Sequence, residues 1–108
     1  MANQRSDPND VTALDDLSLA TVIALIERLR RTETADQFLC REIELDEAVL
    51  EADYEMRTAR DSESAPRVVE HLGQVRTHIL SAHDYVGDNN IRAAIEELNK
   101  VVELKIGL

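Results

Sequence analysis

From position 68 onward, Val68, Leu72, Val75, Ile79, Ala82 and Val86 recur at alternating steps of four and three. A 3.6-residue repeat brings such positions onto one face, so the spacing predicts an amphipathic helix. The pattern returns in Ile91, Ala94, Ile95, Leu98, Val101, Val102 and Leu104, after the break Gly87-Asp88-Asn89-Asn90. The stretch from Ser64 to Leu104 therefore reads as a helical hairpin. Ser64 is expected to cap its first helix, with Pro66 in the first turn, where a missing N–H costs nothing. Gly87 is expected to end that helix in a left-handed conformation, and Asn89 or Asn90 to cap the next.

The N-terminal half extends the same logic. Leu19, Val22, Ile23, Ile26 and Leu29 form one stripe, with Thr12–Asp15 or Ser18 as its start and Arg28, Arg30 and Arg31 crowding its far end. Cations there complement the negative end of a helix dipole. Thr34 with Gln37 matches a capping box, so a break and a new helix are placed at that point, running from about Ala35 to Arg60. Its main stripe is Phe38, Glu42, Leu45, Val49, Ala52, Met56 and Ala59, and a second row of Leu39, Ile43 and Leu50 lies beside it.

Few turn formers interrupt these segments: Gly numbers 3, Pro 2, and aromatics make up 3% of the chain. Strands need β-branched and aromatic runs punctuated by turn residues, whereas Ala, Leu, Glu and Arg favour helix. The expectation is all-α: a small antiparallel bundle of three to four helices with coiled-coil-like packing. Residues 1–11 read as a flexible tail and 12–108 as a single helical-bundle domain.

A net charge of −10 disfavours nucleic-acid phosphates and anionic lipid as partners. No apolar run approaches a membrane span, no secretory signal is visible at the N-terminus, and a lone Cys40 suits a reducing cytoplasm. Ten of the twelve basic residues are Arg. An acid-rich, lysine-poor chain fits either a plain solvated surface or adaptation to high salt, where screening shrinks self-repulsion.

One helix cannot bury both apolar rows of the second segment inside so small a monomer, so a homodimer with that helix at the interface is expected. The functional expectation is an acidic protein–protein interaction or regulatory module, without a cofactor. Its contact surface is placed on Phe38, Tyr54 and Met56 as anchors and on the acidic edge Glu44, Glu47, Glu51 and Glu55, which would suit a basic protein partner.

Two alternatives rest on histidines. His71 and His78 share a helix face about 10.5 Å apart, too far for one metal ion bound by that pair alone. With His83, Glu42 and Asp46 they define an alternative metal set drawn from two helices. A histidine on a helical hairpin also allows phosphotransfer, with His71 or His78 as phosphoacceptor. Zinc-protease and di-iron spacings, nucleophile elbows and glycine-rich phosphate loops are absent from the sequence.

Overall fold

The computed structural model describes residues 17–107, so the proposed start at Thr12–Asp15 and the tail over 1–11 lie outside the described residues. Four helices follow in order: α1 (Leu19–Arg30), α2 (Ala35–Asp61), α3 (Pro66–Gly87) and α4 (Ile91–Ile106). The chain is an all-α helical bundle, and among the described residues there is no strand. No helix among them is long and apolar enough to cross a membrane.

Local chemistry sets the boundaries. Ser18 caps α1, its Oγ accepting from the Thr21 N–H at 3.1 Å. The break before α2 is a complete capping box: Thr34 Oγ1 accepts from the Gln37 N–H, and Gln37 Oε1 accepts from the Thr34 N–H. Asn90 caps α4 by accepting from the Ala93 N–H, and Pro66 opens α3.

Two expected terminators differ. Gly87 stays right-handed as the last residue of α3, and Asn89 takes the left-handed conformation instead, at φ 64°. The Asn89 N–H donates to the Val86 carbonyl and the Asn90 N–H to the Tyr85 carbonyl, which is the Schellman pattern with Asn in the left-handed place. The end of α2 repeats it. Glu63 is left-handed at φ 58°, its N–H bonded to Arg60 and that of Ser64 to Ala59. Ser64 is therefore occupied in closing α2, and Ala65, which offers no side-chain cap, stands at the start of α3.

Each helix packs beside its chain neighbours, and α1 closes the ring against α4. The pairs across α2 and α3 fix an antiparallel register: Asp46 meets His83, and seven residues along both helices Asp53 meets Arg76. Across α1 and α2, Leu17 meets Glu55 and Arg28 meets Glu44, eleven residues apart on each segment.

The core is Leu17, Val22, Leu25, Ile26 and Leu29; Leu45, Ala48 and Ala52; Val75, Ile79, Ala82 and Val86; and Ala94, Leu98 and Val101. Among the described residues it holds no buried polar side chain. α2 contributes one large side chain and two alanines to it, which lets its backbone approach its neighbours closely.

Candidate functional site

The feature that the bundle leaves unexplained lies on the outside of α2. Leu39, Ile43, Leu50 and Tyr54 are 58, 59, 69 and 55% exposed. On a helix of 3.6 residues per turn they fall within about 60° of arc, and that arc points about 180° away from Leu45, Ala48 and Ala52. The row is about 22 Å long. Apolar residues on opposite faces cancel any single amphipathic direction, so α2 has two apolar sides and two polar edges.

Both edges are closed by intramolecular bonds. On the α1 side Glu44 accepts from Arg41 at 2.8 and 3.2 Å and pairs with Arg28 at 3.4 Å, while Glu55 accepts the Leu17 N–H at 2.9 Å. On the α3 side His83 pairs with Asp46 at 2.7 Å, and Asp53 takes both Arg76 at 3.0 Å and Arg57 at 2.9 Å. Leu80, 37% exposed, falls between Arg76 and His83 on α3 and so lies level with Val49 and Leu50, widening the apolar area.

This geometry redraws the contact surface expected from sequence. Of the seven residues named there, Tyr54 and Glu47 are exposed on the outer side of α2. Phe38 is half-buried against the core, and Met56 is half-buried on the α3 side, with its Sδ 3.6 Å from where a Cβ on Gly73 would stand. Glu44, Glu51 and Glu55 are half-buried along the edge that α1 covers. The acidic edge is thus a seam of the bundle rather than a free face, because α1 lies against it. Arg28 and Arg41 both converge on Glu44, two residues on from Glu42 and on nearly the opposite side of the helix. Glu42 is half-buried near Gly87.

The histidines separate. His78 Nδ1 bonds Glu97 Oε1 of α4 at 2.9 Å, and His83 Nε2 bonds Asp46, with Asp84 at 3.7 Å. His71 is half-buried and makes no hydrogen bond among the described residues. The alternative metal set is therefore divided: only Asp46 and His83 meet, and no three His, Cys, Asp or Glu among the described residues are grouped to hold a metal ion. Cys40 is exposed at the margin of the outer row.

One electrostatic unit stands out on α4. The His78 hydrogen bond, reinforced by Lys100 at 2.9 Å, holds the Glu97 carboxyl below its ordinary value of 4.5, against the opposing effect of partial burial. Glu97 in turn raises the Lys100 ammonium above its ordinary range. The unit ties α3 to α4 across the side of the bundle remote from α2's outer row.

Comparison with models of known protein families, with curated proteins and with solved structures finds no match to this chain. The functional reading rests on the geometry.

Proposed function

We propose that this protein is a self-associating interaction module that works by presenting the outer face of α2. The observation that carries the reading is the row Leu39, Ile43, Leu50 and Tyr54, exposed on the side of a helix whose opposite side already fills the core. Single exposed apolar side chains are ordinary on any surface. A row of four, in two apolar pairs on either side of exposed Asp46 and Glu47 and beside edges largely closed by ion pairs, is the pattern of a surface awaiting a second layer. Its anchors would be Leu50 and Tyr54, the aromatic supplying large contact area at small entropic cost.

The test is mass in solution. Sedimentation velocity from about 10 to about 500 µM, the range suited to a small interface, is expected to show a monomer–dimer equilibrium. Leu50→Asp should shift it to monomer with helical content unchanged. A wild-type chain that stays monomeric throughout, or a Leu50→Asp variant with the same mass distribution, overturns the proposal.

A further inference from the structure

The outer face of α2 has a two-fold pattern that its individual residues do not reveal. Leu39 and Tyr54 stand equally far from the midpoint between Asp46 and Glu47, and so do Ile43 and Leu50. One turn beyond each end of the row come Asp36 and Arg57, again equidistant from that midpoint, both exposed and opposite in charge. The surface therefore reads acid, apolar, apolar, midpoint, apolar, apolar, base.

We infer that α2 pairs with α2 of a second copy in the antiparallel sense, about a two-fold axis through the Asp46/Glu47 midpoint. The inference rests on the outer row being the self-association surface. In a two-fold interface, residue i meets j and j meets i, so the patch must complement itself. Antiparallel pairing at this register sets Leu39 against the partner's Tyr54 and Ile43 against the partner's Leu50. It also sets Asp36 of each chain against the partner's Arg57 at both ends. Parallel pairing would instead place Asp36 on Asp36 and Arg57 on Arg57, two like-charge contacts.

The neighbouring bonds leave Arg57 free to act this way. It pairs with Asp53 at 2.9 Å, but Asp53 also holds Arg76 at 3.0 Å, so turning Arg57 outward leaves no orphaned carboxylate. At the midpoint the arrangement gathers Asp46 and Glu47 of both chains, and like charges there oppose association. Asp46 keeps a partner within its own chain there, His83 at 2.7 Å. A single helix face of this length belongs to the small class of specific interfaces, under about 1,200 Å² in total. The pairing is accordingly reversible, in the micromolar range or weaker.

Disulfide trapping distinguishes the arrangements. In a Cys40→Ser background, Leu39→Cys combined with Tyr54→Cys should form covalent dimers at least tenfold faster than either single variant, because each cysteine faces its counterpart. The two copies of Leu39→Cys alone stand about 22 Å apart along the axis and should not link. Equal linkage by the Leu39→Cys single variant would mean parallel pairing and overturn the inference. So would cysteine variants that remain dimeric by mass, like the wild type, while none of them links. A wild type that is monomeric by mass overturns the self-association reading itself, which separates the two failures.

Should the cysteine variants prove monomeric, a charge-reversal cycle decides. The double variant Asp36→Arg with Arg57→Asp should associate about tenfold more tightly than the product of the two single effects predicts. Absence of coupling would rule out this register.

Discussion

Helices α2 and α4 use the same residue types to different ends. In α4 the buried positions Ala94, Leu98 and Val101 lie on one face, and its one large exposed apolar residue is Ile106, at the helix end. In α2 the inner face holds Leu45, Ala48 and Ala52, and four large apolar residues line the opposite face along its middle. A one-faced helix is complete once the bundle closes over it. A two-faced helix with satisfied edges is half covered, and its outer face has no folding role within the monomer. On the proposed reading, the difference separates two energies, folding and association, onto opposite sides of one element.

The largest effect that can break this comparison comes from truncating each face in turn. Leu45 is fully buried, and Leu45→Ala should lower unfolding free energy by about 2–4 kcal/mol through lost burial and the cavity left behind. Leu50→Ala should change the stability of the monomer by no more than about 0.5 kcal/mol. Urea unfolding at low micromolar protein, where association is weak, measures both. Comparable losses would mean that Leu50 is packed within the monomer and that the two faces are not separate.

A second variant moves folding without touching either face. Glu63 closes α2 in a left-handed conformation that costs a side-chain-bearing residue roughly 1 kcal/mol relative to glycine. Glu63→Gly should therefore raise stability by about 1 kcal/mol, read as a higher urea midpoint at unchanged slope. The association constant should stay at its wild-type value. A gain in stability accompanied by altered dimerisation would show that the α2 terminus takes part in the contact.

These outcomes bear on what was legible in the sequence. The four helices, the Thr34–Gln37 capping box and the Asn90 cap follow from local patterns, because they are written within a few residues. The surplus row Leu39, Ile43 and Leu50 was equally visible. Lateral packing was not. Glu44, Glu51 and Glu55 read as a free acidic face because sequence gives the spacing along α2 but not the register in which α1 lies against it. The left-handed closures fell on Glu63 and Asn89 rather than on Gly87 for a related reason. The Schellman geometry is set by where the helix stops, and α3 runs through Gly87 to a cap at Asp88, which leaves Asn89 in the left-handed place. The two-fold pattern of the outer row became legible once Tyr54 was known to share that face.

The α2–α3 seam offers a smaller and more local test. Gly73 lies inside α3, and a Cβ added there would stand 3.6 Å from Met56 Sδ, an ordinary van der Waals contact. Gly73→Ala should therefore gain helix propensity without a clash, raising stability by about 0.5–1 kcal/mol. Thermal unfolding of the monomeric Leu50→Asp background isolates the effect from association. A loss of stability instead would mean that α2 and α3 require a backbone approach closer than a methyl group allows, and that the inner face of α2 is held more tightly than its alanines suggest.

The smallest expected effect belongs to α4, on the far side of the comparison. Glu97 is bonded by both His78 and Lys100, and its carboxyl ionises below the ordinary 4.5. A carboxylate depressed on folding stabilises the native state above its unfolded pKa, and that contribution is lost as pH falls through the folded value. Lys100 is shifted upward, so its contribution is present below the ordinary lysine value of 10.5 and disappears as pH rises past it. Because Lys100 is exposed, solvent screens its share, and the acid limb should be the larger of the two. In the Leu50→Asp background, the stability difference between Glu97 and Glu97→Gln should therefore shrink as pH is lowered from about 6 to about 3. Parallel acid profiles would mean that His78 and Lys100 do not favour the ionised form. Because this unit lies remote from the outer face of α2, the same titration should leave no trace of Glu97→Gln in the association constant of the wild-type background at neutral pH. A folding contribution confined to α4 and an association contribution confined to α2 would then be separable by pH and by mutation alike.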